Sequence, residues 1–283
     1  MMKIERVAVI GSGTMGRGIA HVAMLAGYKV HFINRSEENL KIAVKDIEEN
    51  LVKSIERGFV KQEEYAKIQN ILSFTNIDEG VKNVELVIES VAENMDLKMD
   101  IFRKLDVLTN KDTILATNTS TMSPTEIASV TSKSDKVIGM HFFNPVHKMK
   151  LLEIVKGLNT SEETVDIALE VGKMMGKETV IVNEYPGFIP SRINCLIGNE
   201  AFYMLQEGVA SAEDIDKALK LGLNHPMGPF ELVDLVGLDV RLNNLEYLYK
   251  TLGEKYRPCP LMIKYVKAGR LGRKAGKGVY EYE

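Results

Sequence analysis

Cysteine is scarce in this sequence, because its 283 residues include only Cys195 and Cys259. The two stand in unrelated contexts, with neither a CxxC motif nor a histidine at metal-ligand spacing. Their positions argue against a zinc site and are compatible with a reducing compartment. We therefore expect no metal ion and a cytoplasmic location.

Long apolar runs and blocks of like charge are also missing. No apolar run approaches the roughly 20 residues that span a bilayer, and the first residues enter a strand pattern without the features of a secretory leader. The net charge is −3, with lysine and glutamate interspersed along the chain. This distribution gives no sign of a nucleic-acid surface or a membrane-surface helix. We therefore expect partners other than nucleic acids and membranes.

The chain is rich in short apolar segments that alternate with helical ones. Hydrophobic residues make up 45% and charged residues 27%, a globular composition, and the length is sufficient for two domains. Predicted strands lie at Val7–Ile10, Lys29–Ile33, Glu85–Ser90, Thr113–Ser120, Lys136–Phe142, Leu151–Val155 and Glu178–Asn183. Strands that alternate with helices indicate a mainly parallel sheet covered on both faces.

The alternation ends at the turn residues YPGFIP, Tyr185–Pro190, after which helical periodicity continues almost to the last residue. We predict an α/β fold in two parts. Residues 1–184 form a Rossmann-type dinucleotide-binding domain, and residues 185–283 form a smaller all-helical domain for substrate binding or dimerisation.

The first predicted strand runs directly into GSGTMG, which fits the GxGxxG pattern, and a helix follows. In this context Gly11 permits the tight turn, Gly13 lets the backbone approach a pyrophosphate, and Gly16 lets the helix pack on the strand. The pyrophosphate rests on the helix N-terminus, whose N–H groups and dipole favour an anion. We predict a dinucleotide site that also includes Thr14 and Met15.

The tip of the second strand departs from the usual pattern of such sites. The residue that holds the adenosine ribose is expected roughly 20 residues beyond the glycines, and this position carries Asn34, followed by Arg35. An aspartate there repels a 2′-phosphate, whereas Asn34 removes the repulsion and Arg35 can pair with the phosphate. The local chemistry favours NADP, although Arg35 at a strand end also suits plain exposure to solvent.

His141 differs from the other four histidines because it ends a predicted strand, VIGMHF, just before Asn144 and Pro145. Strand ends of an open α/β sheet are where ligands and chemistry collect. Glu153 is a lone acid in the neighbouring apolar run LLEIV and is costly to bury without a partner. A pair of His141 and Glu153 would remove that cost and form a general base with a fixed tautomer.

Together, several stretches resemble the 3-hydroxyacyl-CoA dehydrogenase family, in particular its short bacterial members that act on 3-hydroxybutyryl-CoA. They follow the family's order and cover almost the whole chain: GSGTMGRGIA, ATNTST, GMHFFNPV, LLEIV, YPGFIPSR, LGLNHPMGPFEL and LGRKAGKGVYEY. The resemblance implies an oxidoreductase that interconverts a short (S)-3-hydroxyacyl-CoA and its 3-oxo form, such as acetoacetyl-CoA. It implies NAD as the cofactor, against the local preference for NADP.

The resemblance also assigns catalytic roles. In the family, the histidine of the HFFNP-like motif takes the proton of the substrate 3-hydroxyl while a hydride passes from C3 to the nicotinamide. That position is His141, its partner is Glu153, and the serine of the NTS motif, near the reacting oxygen, is Ser120. The family commonly has a substrate-binding asparagine where this sequence has Ser191, whose hydroxyl has a shorter reach than an amide. We expect Ser191 to act through a water-mediated contact.

Further contacts are implied for the cofactor and for coenzyme A. Coenzyme A contacts are expected on the long helix after the second strand, where basic residues equally suit a solvated surface. The expected coenzyme A contacts are Asn50, Lys53 and Arg57, and the expected further cofactor contacts are Glu93, Lys98, Ser120, Asn144 and Lys274.

Several alternatives stay open from the sequence alone. The same architecture serves dehydrogenases of free hydroxy acids, and the resembled family includes a crystallin-type protein without catalysis. A nucleotide-responsive interaction module is a further option, without an apolar signature in the sequence. The resemblance implies a homodimer formed by helices such as Ile193–Gln206 and Pro229–Tyr249, although their apolar faces would also suit an internal core.

Overall fold

The structure, a computed structural model, describes residues 2–282. The chain divides into two compact units, Met1–Glu184 and Tyr185–Glu283, called here the sheet unit and the helical unit. Within residues 2–282, no helix combines the length and the apolar character that a membrane span requires.

The sheet unit is built on one eight-stranded sheet with the order β3-β2-β1-β4-β5-β6-β7-β8. All neighbouring strands are parallel except β6 and β7, which are antiparallel. This confirms the predicted mainly parallel α/β fold. The strands are β1 Arg6–Ile10, β2 Lys29–Ile33, β3 Ile71–Phe74, β4 Leu86–Glu89, β5 Ile114–Thr117, β6 Val137–Phe142, β7 Leu151–Lys156 and β8 Glu178–Asn183.

The sheet differs from the sequence prediction mainly at β5 and β3. The strand predicted at Thr113–Ser120 already ends at Thr117, because Asn118–Ser120 leave the sheet as a loop. The short strand β3 was missed, since its burial alternates weakly at the sheet edge and its pattern blends into the preceding 3₁₀ turns at Gln62–Asn70.

Helices cover the sheet as the sequence pattern predicts. The second helix shows why: Ser36 accepts a hydrogen bond from the Asn39 N–H (3.2 Å) and caps its first turn. Its buried residues Leu40, Ala43, Ile47 and Leu51 recur at helical spacing on one face. The helices of this unit are α1 Thr14–Leu25, α2 Glu37–Glu56, α3 Ile77–Gly80, α4 Met95–Leu108, α5 Pro124–Ala128 and α6 Glu162–Met174.

The core of the sheet unit lies on both faces of the sheet. Successive side chains of a strand point to opposite faces and belong to two separate apolar clusters. In β1, Val7 and Val9 belong to one cluster and Ala8 and Ile10 to the other. Burial on both faces explains why the central strands read as continuous apolar runs rather than as alternating patterns.

The helical unit has its own apolar core, which includes Phe202, Phe230, Leu245 and Tyr256. Two buried carboxylates are part of it. Asp216 accepts the N–H groups of Phe230 and Glu231, and Asp234 accepts those of Val279 and Tyr280. The helices of this unit are α7 Pro190–Gln206, α8 Ala212–Gly222, α9 Pro229–Val236, α10 Leu238–Leu252 and α11 Pro260–Lys267.

Candidate active site

The glycine turn between β1 and α1 forms a cradle for an anion. Gly11 has a φ of +104°, and a Cβ on it would lie 2.4 Å from the Ser90 carbonyl oxygen. A Cβ on Gly16 would lie 1.8 Å from the Gly11 carbonyl oxygen, whereas one on Gly13 would meet no atom within 4 Å. Gly13 is also the N-cap of α1, without a side-chain cap, so the first-turn N–H groups are available to a pyrophosphate. The residues present therefore fit the diphosphate of a dinucleotide.

The tip of β2 stands beside this cradle. The Asn34 side chain donates from Nδ2 to Ser12 Oγ (2.7 Å) and accepts the Ser36 N–H at Oδ1 (2.9 Å). Asn34 thus joins the glycine turn to the start of α2, and both ends of its amide are engaged. Arg35 is exposed, and no carboxylate of residues 2–282 lies within ion-pair distance of it. The ribose and phosphate contacts of these two residues stay predictions.

The buried pair that the sequence predicted is formed in the sheet unit. His141 Nδ1 and Glu153 Oε2 are 2.7 Å apart, with His141 5% exposed and Glu153 fully buried. The two residues are direct register partners on the antiparallel strands β6 and β7. Because Nδ1 faces a carboxylate, the neutral imidazole carries its proton at Nδ1, which leaves Nε2 unprotonated. The Phe143 ring packs against the imidazole at a centroid distance of 4.4 Å.

Asn118 fixes the end of β6 and was missed in the sequence. Its Oδ1 accepts the Phe142 N–H (2.9 Å), directly after His141, and its Nδ2 lies 3.3 Å from Ser90 Oγ. Asn118 thereby links the C-terminal ends of β4 and β6 across β5. Its position after an apolar strand, in the ATNTST stretch, was the signal available in the sequence.

Ser120 is held by a carboxylate below its loop. Glu93 Oε1 accepts the Ser120 N–H (3.0 Å) and the Thr119 hydroxyl, while the Ser120 hydroxyl lies 3.5 Å from it. Lys98 is 1% exposed, and its Nζ lies 2.8 Å from Glu89 Oε1 and 3.3 Å from Glu93 Oε2. Lys98 therefore supports the loop from underneath by holding Glu93. Its direct contact with a cofactor stays a prediction.

The remaining predicted residues lie in three places. Asn144 is exposed in the loop after β6. Asn50 and Lys53 are exposed on α2 and line a cavity of about 340 Å³ in the sheet unit, and Arg57 follows the same helix. In the helical unit, Ser191 is half-buried in the first turn of α7, and the Lys274 ammonium pairs with Asp239 (2.6 Å). The glycine turn, Asn34 and the His141–Glu153 pair all belong to the sheet unit.

Comparison with known proteins connects this geometry to one family. Residues 6–185 match the model for the NAD binding domain of 3-hydroxyacyl-CoA dehydrogenase, and residues 187–282 match the model for its C-terminal domain. The chain belongs to the 3-hydroxyacyl-CoA dehydrogenase family.

Individual members of the family are similar over the full length. A probable 3-hydroxybutyryl-CoA dehydrogenase of Bacillus subtilis is 45% identical, covering 100% of this chain and 99% of that protein. A 3-hydroxybutyryl-CoA dehydrogenase of Clostridioides difficile is 46% identical over 98% of this chain and 99% of its own. The crystal structure of an (S)-3-hydroxybutyryl-CoA dehydrogenase from Ralstonia eutropha superposes with a TM-score of 0.95 at 41% identity, covering 99% of this chain and 100% of that one.

Family membership also fixes the class of cofactor. The matched N-terminal model is that of an NAD binding domain, so this dehydrogenase uses a nicotinamide dinucleotide. The resemblance inferred from the motifs is confirmed. The anion cradle at Gly11, Gly13 and Gly16 agrees with it.

Proposed function

We propose that the chain is an (S)-3-hydroxybutyryl-CoA dehydrogenase, which interconverts a short 3-hydroxyacyl-CoA and its 3-oxo form, including acetoacetyl-CoA. The His141–Glu153 pair carries the proposal, because it is a buried, oriented pair suited to general base catalysis, close to the C-terminal end of β6 in a dinucleotide-binding sheet. The names of the full-length relatives support the same substrate. When bound, the nicotinamide ring exchanges a hydride with C3 of the substrate.

His141 handles the proton of this reaction. In the oxidative direction, the substrate 3-hydroxyl gives its proton to Nε2 while the C3–H bond is broken, and in the reductive direction Nε2 returns the proton to the developing alkoxide. Glu153 Oε2 accepts a hydrogen bond from the Nδ1–H group (2.7 Å between Nδ1 and Oε2) and stabilises the imidazolium that forms. General acid–base catalysis of this kind contributes about 10² to 10⁴ in rate.

Two serines are proposed to bind the reacting group. Ser120 lies in the loop held by Glu93, and its hydroxyl is proposed to donate to the substrate oxygen near the thioester. Ser191 is proposed to bind substrate through water, in place of the asparagine that is common in the family. Both residues are half-buried and so keep part of their surface open to a ligand.

The choice between NAD and NADP follows from the tip of β2. We favour NADP, because Asn34 carries no charge that repels a 2′-phosphate and the neighbouring Arg35 is exposed without a carboxylate partner among residues 2–282. The family model points to NAD. A homodimer and a cytoplasmic location complete the proposal, as the sequence predicted.

The decisive experiment measures initial rates of acetoacetyl-CoA reduction with NADPH and with NADH. The wild type is expected to turn over the substrate, and His141→Ala is expected to lose at least 10²-fold in kcat with cofactor affinity changed only a few-fold. A tenfold preference for NADPH corresponds to about 1.4 kcal/mol and should disappear in Arg35→Ser. A wild type that binds the cofactor but reduces only free oxo acids, or nothing, contradicts the proposed function. A preference for NADH would mean that Arg35 is a solvent-exposed residue without a role in cofactor choice.

A further inference from the structure

A groove runs along the sheet unit between α1 and α2 and is closed at one side by the loop after β6. It is the cavity of about 340 Å³, here called the α1–α2 groove. Thr14 and Asn144, two predicted cofactor contacts, lie on its lining, and so do Asn50 and Lys53, two predicted coenzyme A contacts. The groove therefore connects the two predicted ligand regions.

Arg17 spans this groove with most of its hydrogen-bonding capacity unused. Its Nη1 donates to Asp46 of α2, and its Nε is buried without a partner among residues 2–282. A guanidinium has five N–H donors in a fixed fork, and its side chain is 33% exposed here. Arg17 thus presents donors to the groove while one carboxylate holds it in place.

A second unsatisfied polar atom lies in the same groove. His21 is 3% exposed, and its Nε2 is buried without a hydrogen-bond partner in the described part of the chain. Its ring stacks on His147 at a centroid distance of 5.8 Å. Burial lowers the pKa of His21 to about 4 and also lowers that of His147, so neither ring adds charge near pH 7. A buried polar atom without a protein partner can accept or donate a hydrogen bond to a bound water, ion or ligand.

The groove lining holds two cations, Arg17 and Lys53, and two carboxylates, Asp46 and Glu49. Glu49 is paired with Lys45 (3.8 Å) and Asp46 with Arg17, whereas Lys53 has no carboxylate within ion-pair distance among residues 2–282. Among the described residues, Lys53 is therefore the lining cation without an ion pair, and Arg17 keeps N–H donors that Asp46 does not use. A guanidinium that faces a phosphate binds it in a bidentate manner.

We propose that Arg17 binds the diphosphate of the coenzyme A thioester in the α1–α2 groove, exchanging its contact with Asp46 for the phosphate oxygens. This rests on the proposed function. The diphosphate of the cofactor has its own cradle at the N-terminus of α1, whereas the Arg17 side chain is directed to α2, where Lys53 lies. Asp46 competes with the phosphate for the guanidinium and is thus a negative modulator of substrate affinity.

The test compares Arg17→Gln and Asp46→Asn, because the proposal gives them opposite signs. Arg17→Gln is expected to raise KM for acetoacetyl-CoA about tenfold or more with kcat nearly unchanged, and Asp46→Asn is expected to lower KM severalfold. With the acetoacetyl thioester of pantetheine, which lacks the diphosphate, both variants should match the wild type. Arg103→Gln, which removes an exposed ion pair on α4, is the control.

Three results would overturn the inference. One is a rise of KM in both Arg17→Gln and Asp46→Asn, which a purely structural ion pair would give. Another is an equal loss with the pantetheine thioester, and the third is a raised KM for the nicotinamide cofactor alone. Calorimetric titration with coenzyme A itself separates this inference from the proposed function, since an inactive wild type that still binds coenzyme A through Arg17 contradicts only the function.

Discussion

At the scale of single residues, the proposed chemistry depends on one oriented imidazole, that of His141. Glu153 is fully buried and accepts from His141 Nδ1 at 2.7 Å, so it selects the tautomer that presents an unprotonated Nε2. An amide in its place could donate to Nδ1 and would stabilise the other tautomer without stabilising the imidazolium. The pair therefore acts as one unit.

We predict that Glu153→Gln lowers kcat by about 10²-fold or more, the range of general acid–base catalysis. Cofactor affinity should change only a few-fold, because Glu153 lies outside the anion cradle. Steady-state kinetics and a cofactor titration measure both quantities, with the exposed Glu163→Gln as control. A kcat within twofold of the wild type would remove Glu153 from the mechanism.

His21 makes the stability depend on pH. Its pKa falls from 6.5 to about 4, first through burial and then through the charges of His147 and Lys177. The unfolded chain binds the proton more tightly than the folded one, so stability is complete above pH 6.5 and decreases as the pH falls toward 4. Between pH 7 and pH 4.5 this amounts to about 2 to 3 kcal/mol.

The matched variant is His21→Gln, which keeps a polar side chain that does not titrate. The loss of unfolding free energy between pH 7 and pH 4.5 should be smaller in this variant by about 2 kcal/mol, as measured by urea denaturation. His225→Gln serves as the control. An identical loss in wild type and His21→Gln would show that other groups cause the acid sensitivity.

Many of the individual site residues could be predicted from the sequence. Each has a local feature that the sequence pattern reveals. The glycines form a tight turn in which Gly11 has a positive φ, His141 lies near a strand end, and Glu153 is a lone acid in an apolar run. The role of Asn118 and the amide contacts of Asn34 could not be predicted from the sequence. Their roles depend on which strand ends become neighbours, and local patterns do not contain that information.

At the scale of elements, β1 and α1 are packed so closely that their junction requires glycine. The Gly16 Cα lies against the Gly11 carbonyl, with 1.8 Å between that oxygen and an added Cβ. Gly18 packs on the loop after β6, where a Cβ would lie 2.7 Å from Val146. No side chain can be inserted at Gly16 without moving the backbone that forms the anion cradle.

We predict that Gly16→Ala destabilises the fold by about 1 to 3 kcal/mol, the usual cost of overpacking, and weakens cofactor binding at least tenfold. Thermal unfolding and fluorescence titration with the cofactor test the two effects. Gly222→Ala is the matched control, because a Cβ there meets no atom within 4 Å. Normal cofactor affinity in Gly16→Ala would place the diphosphate elsewhere.

Element types were predicted better than element directions. Strand after strand was found because each is an apolar run, yet the reversal at β7 was not predicted. The sequence of the loop after β6 does not distinguish a hairpin from a crossover connection. Only the observed pairing of β7 with β6 shows that the two strands are antiparallel. The strand β3 was not predicted because its apolar pattern is weak. It lies at the edge of the sheet, so one of its sides has no neighbouring strand and is less buried.

At the scale of the whole molecule, each compact unit has its own buried polar side chains that form hydrogen bonds. In the helical unit, Asp234 is fully buried and accepts the N–H groups of Val279 and Tyr280 and the hydroxyl of Tyr282, each at 2.9 Å. These donors come from the last residues described. The carboxylate therefore anchors the C-terminal segment to α9.

We predict that Asp234→Ala lowers the unfolding free energy by about 3 kcal/mol or more, since it leaves donors unsatisfied at about 1 to 3 kcal/mol each. Hydrogen exchange should rise most at residues 277–282 and in α9. Glu246→Ala, an exposed acid on α10, is the control for chemical denaturation. Unchanged protection of residues 277–282 would contradict the anchoring role.

The register of β6 and β7 has a consequence for how such an enzyme can be altered. Because His141 and Glu153 are opposite each other on paired strands, their alignment is set by the sheet and not by the loop between the strands. Residues of that loop beyond Asn144, including Val146 and His147, line the α1–α2 groove. Substitutions or changes of length there would reshape the groove while the acid–base pair stays in place, which makes this loop a target for engineering the proposed substrate site.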